Sequence, residues 1–589
     1  VNIIVATLNA KFIHTNLALR YLKAYAEPDY TVEMAEYTIK DPPMNIVTDL
    51  YQKKPDIIGF SCYIWNIEET IKVISMIKKI SPHTKIILGG PEVTYDVTYW
   101  LDRLSDVDFI VIGEGEKTFK HLLDELHGQE NFTDVSGIAF KKNGSYHISP
   151  QRNKVDLREM PSPYRFEEDI KNLSKRVVYI ETSRGCPFSC QFCLSSIEVG
   201  VRYFDREKVK DDIRYLMKNG AKTIKFVDRT FNISRSYAME MFQFLIEEHI
   251  PGTVFQFEIT ADIMRPEVIQ FLNDNAPKGL FRFEIGVQST NDSVNELVKR
   301  KQNFAKLTRT VTMVKEGRKV DQHLDLIAGL PDENYESFRN TFNDVFQLHP
   351  EELQLGFLKL LRGTGLRLEA SKYGYVYMDQ APYEMLSNNV LSFDEVVRIK
   401  QVEDILEKYW NAHRMDETIH YLVNHHYETP FDFFQRFGTF WEEKGWSRIG
   451  HQLEDLFKRL QEYLLTEDFP EEDVVLGFMK IDYLANQRYK PRKPWWRSSV
   501  AKDHRSKYYQ QILKNPLLLG QEFQEEKLDE KDLYKHTVLE VLPFDYTKYQ
   551  KTGVLTKQKT LVMAYYDQKQ QKTKLYMSML DSFNLSSVG

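Results

Sequence analysis

Cysteine is scarce in this chain, with four among 589 residues, which excludes the disulfide framework of a small secreted protein and points to reduced thiols. Long apolar runs are missing too. The longest, such as VNIIVATL at residues 1–8 and FIVIG at residues 109–113, fall far below the ~20 residues that a membrane-spanning helix requires. No basic segment followed by an apolar core reads as a leader. Neither sign of charge dominates: the net value is −7, so no overall basic surface advertises nucleic acid. Glycine-rich loops of the G-x-G-x-x-G type are absent, and with them the case for a dinucleotide. These absences lead to the expectation of a cytoplasmic chain with no membrane partner, built of about three or four domains at ~150 residues each.

What is present divides into four stretches. From residue 1 to 130 the apolar runs VNIIVATL, DIIGFSCY, KIILGG and VDFIVIG alternate with helical patterns, as at residues 15–25, 68–80 and 116–126. Strands apolar on both faces and joined by helices predict an α/β domain with a doubly wound, Rossmann-like parallel sheet. Its ligand is expected beyond the carboxyl ends of the strands. Ser61-Cys62-Tyr63, Gly89-Gly90-Pro91 and Gly113 to Glu116 stand there, mostly small residues that let a large ligand approach the backbone. Residues 131–175 are rich in turn formers, with a hairpin signal at Asn143-Gly144, and read as a linker. From 176 to 362, six further apolar runs alternate with helical patterns. They predict a complete or partly open TIM-like (β/α)6 barrel with its site at the carboxyl ends of the strands. Residues 363–589 lose this alternation and read as mainly helical. Ser392 to Glu395 (SFDE) is a capping-box pattern ahead of Val396, Ile399, Val402 and Leu406; Leu453, Leu456, Leu460 and Leu464 mark another helix, and residues 560–580 suggest a hairpin.

Three of the four cysteines, Cys186, Cys190 and Cys193, stand within eight positions directly after the first barrel strand. Separated by three and then two residues, in a loop with Gly185 and Pro187, their thiolates can converge on one compact inorganic centre. A structural zinc would require a fourth ligand, and no second cysteine pair supplies one. An iron–sulfur cluster held by three thiolates leaves one iron open, as a catalytic metal site demands.

The C-x-x-x-C-x-x-C spacing, with the aromatic Phe192 before its last cysteine, resembles the radical S-adenosylmethionine (SAM) superfamily. The resemblance implies that Cys186, Cys190 and Cys193 ligate a 4Fe-4S cluster. It further implies that SAM chelates the open iron through its amine and carboxylate, and that one electron cleaves the sulfonium to a 5'-deoxyadenosyl radical. An external donor such as flavodoxin or ferredoxin is the implied partner. Polar residues at the strand ends fit the SAM site: Asp228 after the second strand, and Glu284 and Gln288 in FEIGVQS, which resembles the family's fourth-strand segment near the SAM ribose and carboxylate. The family's G-G-E segment after the second strand is replaced here by VDRTFN.

A parallel sheet ahead of such a barrel resembles the cobalamin-binding domain of the superfamily's cobalamin-dependent branch; the two resemblances together cover about residues 1–361. Ser61, Gly89, Gly90, Gly113 and Glu114 are the implied contacts of the corrinoid's nucleotide tail. No D-x-H-x-x-G motif follows the first strand, so cobalt is expected without a protein histidine below it; His14 reads as locally hydrogen-bonded and Cys62 as a small buried hydrophobe. The implied activity is methylation of an unactivated centre through methylcobalamin. The alternatives are radical ring closure or rearrangement without net methyl transfer, and a cobalamin-binding sensor or accessory protein without turnover. A tRNA methylthiotransferase is disfavoured, because those N-terminal domains bring three further cysteines. A small molecule is the expected substrate, with a peptide or RNA as alternatives. The basic, aromatic residues 487–509 read as a solvated loop anchored on the barrel by Trp495 and Trp496.

Overall fold

The computed structural model describes residues 1–198, 200–467 and 469–583. The chain divides into two compact units, Val1–Val396 and Val397–Gly589. The first unit opens with strands β1 (Ile3–Asn9), β2 (Val32–Thr38), β3 (Ile57–Ser61), β4 (Lys85–Gly89) and β5 (Phe109–Val111), followed by β6 (Ile138–Lys142) and β7 (Ser145–Ile148). They form one sheet in the order β2-β1-β3-β4-β5-β6-β7, parallel through β5 and antiparallel beyond it. Every residue of β1 and β3 is buried, as helices on both faces require. β2 escapes the apolar-run criterion because it is the edge strand: Val32 and Ala35 face the core while Glu33 and Glu36 break the run. The β6–β7 hairpin turns at Asn143-Gly144 and pairs with β5 through Ile110 and Ala139. Part of the stretch read as a linker is therefore the sheet's far edge; its turn residues were legible, but only Ile138, Ala139 and Phe140 are buried, too short an apolar run to read as a strand.

The barrel strands follow as β8 (Val177–Ile180), β9 (Ser183–Cys186), β10 (Gly200–Tyr203), β11 (Thr223–Phe226), β12 (Val254–Ile259), β13 (Phe281–Gln288), β14 (Asp321–Ala328) and β15 (Glu352–Phe357). Six of them make an open, all-parallel sheet ordered β15-β14-β13-β12-β11-β8, while β9 and β10 form a separate antiparallel pair. Along β13 burial alternates strictly: Phe281, Phe283, Ile285 and Val287 are buried and Arg282, Glu284, Gly286 and Gln288 lie on the opposite face. That second face carries paired charges, with Lys225 2.7 Å from Glu284 and Arg282 2.6 Å from Glu352. A short hairpin, β16 (Val376–Tyr377) and β17 (Met385–Ser387), follows. The expected capping box forms: the Ser392 amide donates to Glu395 at 2.8 Å and the Glu395 amide to Ser392 Oγ at 3.2 Å, opening the helix Phe393–Leu406.

The second unit is helix-rich and ends in an antiparallel sheet of β18 (Thr537–Leu542), β19 (Thr560–Asp567) and β20 (Lys572–Met579). Trp495 packs on Phe457 and Tyr483 at ring separations of 5.2 and 5.1 Å and donates to Gln461. The tryptophan anchor of the basic stretch thus sits on helices Leu453–Thr466 and Glu472–Asn486 of this same unit. No helix among the described residues is long and apolar enough to cross a membrane.

Within the first unit the two parallel sheets are joined directly. The loop after β1 bridges in parallel to β8 through His14 and Val177, with the Val177 amide donating to the Ile13 carbonyl at 2.6 Å. Beside this bridge lies a buried charge cluster: Glu36 takes Arg20 at 3.0 Å and Arg176 at 2.7 Å, and Arg20 also pairs with Asp169 at 2.5 Å. Burial alone would raise the Glu36 pKa, but the two guanidiniums override it and hold the carboxyl at about 2. A carboxylate with a depressed folded pKa stabilises the fold above its unfolded value of ~4.5 and loses that contribution as pH falls toward 2. The expected loss over that window is about 3 kcal/mol, at 1.36 kcal/mol per pKa unit. Glu36→Gln should cost roughly 3–5 kcal/mol by stranding two buried arginines. Urea unfolding of the first unit, followed by tryptophan fluorescence from pH 7 to 3, should show the variant destabilised at pH 7 and the gap narrowing on acidification; a gap independent of pH would contradict this.

Candidate active site

β9 delivers the first cysteine. Its antiparallel pairing with β10 brings Gly185, at φ +97°, so close to Gly200 that a Cβ would stand 1.9 Å from the Gly200 carbonyl oxygen; only glycine fits. Behind this pair Asp228 is 1% exposed. It accepts the Thr182 amide at 3.0 Å, Thr182 Oγ1 at 2.6 Å and Ser183 Oγ at 2.5 Å. Desolvation raises its pKa, and these hydrogen bonds oppose the rise. Asp228, expected at the SAM site, is engaged at the start of β9 and is not among the residues lining the cysteine cavity, whereas its neighbour Arg229 is.

Cys186, Cys190 and Cys193 line one cavity of about 250 Å3, together with Glu258, Glu284, Gln288 and Asp325 from the barrel strands and Arg300 from the segment after the helix Asp292–Leu297. Gln288 sits at a register shift between β13 and β14 with φ +68°, and its Oε1 is buried without a hydrogen-bond partner among the described residues. A buried amide oxygen left unpaired is costly, so this atom suits a donor on a ligand. Arg300, missed in the sequence, donates to the Gly286 carbonyl and lies 3.9 Å from Cys190 Sγ. Burial pushes the Cys186 and Cys190 thiols up, with Arg300 opposing the shift at Cys190. Burial likewise raises Glu258, against Arg229 and Lys225. Among the described residues no three His, Cys, Asp or Glu side chains are grouped to hold a metal ion. The three thiols line the same cavity, and three thiolates with no fourth protein ligand are a donor set that suits an iron–sulfur cluster with an open iron better than a closed structural zinc site.

A second cavity, of about 160 Å3, runs beside the first sheet and is lined by Ser61, Gly89, Gly90 and Gly113, with Gly59, Tyr63, Pro91, Glu116 and Phe119. Gly90 has φ +108°, and a Cβ there would fall 2.5 Å from the Cys62 carbonyl oxygen, so the tight turn and the open slot both depend on glycine. These small residues fit the tail of a large cofactor. Glu114 is not on this cavity: it pairs with Arg202 and lies 3.8 Å from Arg184, and Glu116, two residues on at the start of the next helix, takes the lining position. Gly59 was missed, although a glycine inside an apolar strand signals close approach of a ligand or backbone. His14 Nδ1 lies 2.7 Å from the Tyr179 hydroxyl, and Cys62 is fully buried off the cavity wall.

A third and larger chamber, about 700 Å3, lies between the two. It shares Tyr63 and Pro91 with the sheet cavity, and Phe192, Cys193, Ser195 and Arg229 with the cysteine cavity. The chamber therefore shares a wall with each of the other two spaces. Glu92 on its wall is buried and accepts the Tyr383 hydroxyl, and desolvation outweighs that bond and Arg362 to raise its pKa to about 7.

Residues 3–123 match the model of the B12 binding domain, residues 180–345 that of the radical SAM superfamily, and residues 371–564 a domain described as a protein of unknown function (DUF4080). The chain belongs to the cobalamin-dependent radical SAM family. It is 24% identical over 407 residues to an uncharacterized methyltransferase, PH0819, of Pyrococcus horikoshii, covering 67% of this chain and 86% of that one. With the cobalamin-dependent radical SAM methyltransferase TokK of Streptomyces tokunonensis it shares 26% identity over 59% of its own length and 53% of the relative's. Cyclases occur among the distant relatives as well. Among solved structures, the cobalamin-dependent SAM radical enzyme OxsB with aqua-cobalamin bound superposes with a TM-score of 0.57 at 16% identity, covering 82% of this chain and 81% of that one. The two matched domains imply a 4Fe-4S cluster, SAM and cobalamin.

If Asp228 acts through β9, Asp228→Ala should lower stability by about 3 kcal/mol, because the buried Thr182 amide and two hydroxyls lose their acceptor. The variant should also take up less iron than wild type on anaerobic reconstitution, measured by iron and sulfide analysis. Full iron uptake by a folded Asp228→Ala protein would contradict the assignment.

Proposed function

We propose that this radical SAM enzyme methylates an unactivated centre of a small-molecule substrate held in the 700 Å3 chamber. The observation that supports the reading is that the chamber shares wall residues with both the sheet cavity and the cysteine cavity. When bound, cluster and SAM would supply a hydrogen-abstracting 5'-deoxyadenosyl radical, and cobalamin a methyl group transferable to the resulting substrate radical.

In this reading Cys186, Cys190 and Cys193 would hold the cluster, and Gln288 Oε1 would accept from SAM. Glu258, Glu284 and Asp325 would be the carboxylates nearest a sulfonium cation in the same cavity, beside Arg229 and Arg300. Ser61, Gly89, Gly90 and Gly113 would admit the cobalamin tail beside the sheet. The apolar walls from β14 and β15, Ile327, Leu355 and Phe357, would exclude water from a radical and fix the substrate between the two reacting groups. An external one-electron donor completes the scheme.

The reconstituted protein, reduced and incubated with isotopically methyl-labelled SAM and a small-molecule cell extract, should form 5'-deoxyadenosine and pass label to a product. Cys186→Ala should abolish both, as read by mass spectrometry. Deoxyadenosine without label transfer would replace methylation by rearrangement or ring closure; the absence of deoxyadenosine from wild type would leave a cobalamin-binding protein without turnover.

A further inference from the structure

On the polar face of the barrel sheet cations are matched to carboxylates. Lys225 lies 2.7 Å from Glu284 and Arg282 2.6 Å from Glu352, and the charge of Arg229 acts on Glu258. Arg300 lines the same cavity and is half-buried, yet it forms no ion pair among the described residues. Where the others have a carboxylate, it has a cysteine: its Nη1 lies 3.9 Å from Cys190 Sγ, within reach of a sulfur acceptor.

That placement is fixed by several elements together. Arg300 Nη2 donates to the Gly286 carbonyl of β13 and, at 3.2 Å, to Gln302 Oε1, which also accepts Nε at 3.3 Å. Gln302 is held in turn, its Nε2 donating to the Ser289 carbonyl at 3.0 Å. Ser289 Oγ donates at 2.6 Å to Glu333, which is fully buried. The backbone is tied down as well: the Gln191 amide, inside the cysteine loop, donates to the Val298 carbonyl at 2.9 Å, and the Arg300 amide to the Asn295 carbonyl at 2.8 Å. A long side chain gives up much rotamer freedom to be held in this way, and the planar fork of arginine suits several acceptors at once.

A cluster held by three thiolates gains one unit of negative charge when it is reduced. A fixed positive charge beside one of its sulfurs stabilises the reduced state more than the oxidised one, and partial burial keeps that attraction from being screened away. We propose that Arg300 raises the reduction potential of the cluster and that Gln302 is the residue positioning it, so that an external one-electron donor can fill the cluster more readily. In that step one electron passes from the donor to the cluster, and no bond forms or breaks. The inference rests on the cofactor reading above and adds to it a residue outside the cysteine motif.

The test uses the full chain reconstituted anaerobically with iron and sulfide, without SAM or cobalamin, iron and sulfide content being measured first. Redox titration with mediator dyes, followed by electron paramagnetic resonance of the reduced cluster, then gives the midpoint of each protein. At a fixed potential Arg300→Gln should lower the ratio of reduced to oxidised cluster by about tenfold, a midpoint about 59 mV more negative for a one-electron couple. Arg300→Lys, which keeps the charge, should fall between that variant and wild type. Gln302→Leu, which leaves the charge but loosens its hold, should shift the midpoint in the same direction by less. A midpoint unchanged in Arg300→Gln, or moved as far by Arg300→Lys, overturns the inference and leaves the cofactor reading standing. If wild type holds a cluster and neither Arg300→Gln nor Gln302→Leu does, these residues serve assembly rather than potential, and the inference also fails. A wild-type chain that takes up no cluster overturns the cofactor reading first and the inference with it.

Discussion

Glu36 is the residue on which the arrangement of the two sheets turns. It sits on the edge strand of the first sheet, yet its carboxylate holds Arg20 from the preceding helix, Leu17–Ala26, and Arg176 from the position just before β8. Together with the His14–Val177 bridge, this fixes the first sheet against the start of the second. Parallel sheets present their ligands at the carboxyl ends of their strands, so joining two of them in this way makes the two ligand-facing ends neighbours. A buried ion cluster is weak evidence for net stability. Its value here is directional: four charges that must be satisfied together admit one relative placement of the sheets.

From that placement the rest of the site follows. The cysteine loop leaves β8 through β9, steadied by Asp228, and opens onto the cavity formed by the ends of β11 to β14. The glycines after β4 and β5 leave a slot beside the first sheet. Between them the chamber is walled by β14, β15 and the segment after β3, and its residues belong to both halves. Catalysis between two large cofactors is a problem of positioning, and under the proposed function the chamber that shares walls with both cavities would be where it is solved.

Much of this was legible in the sequence because its physical signals were strong. Continuous apolar runs marked β1, β3, β4 and β5, since strands buried on both faces have no polar alternation to hide them, and the barrel strands showed as short runs in which buried and polar positions alternate. The spacing of Cys186, Cys190 and Cys193 carried the chemistry directly. What was missed depends on tertiary context. β2 is an edge strand whose charged residues include Glu36, and its identity as a strand shows only once β1 is beside it. Asp228 and Glu114 read as ligands because they follow strands, but a carboxylate at a strand end satisfies neighbouring amides or arginines as readily as a cofactor. Gly59, two residues before Ser61, carried the local signal of a glycine inside an apolar strand, whereas Arg300 lies far in sequence from the cysteines it joins and no local pattern announces it.

The central claim is that both cofactors face one chamber. Electron paramagnetic resonance of the fully loaded protein, with cobalamin in its paramagnetic cobalt(II) form and the cluster reduced, tests it most directly. The account predicts two signals that are magnetically coupled, broadened or split relative to samples holding either centre alone. Two superimposed, unperturbed signals would place the centres in separate compartments and contradict it.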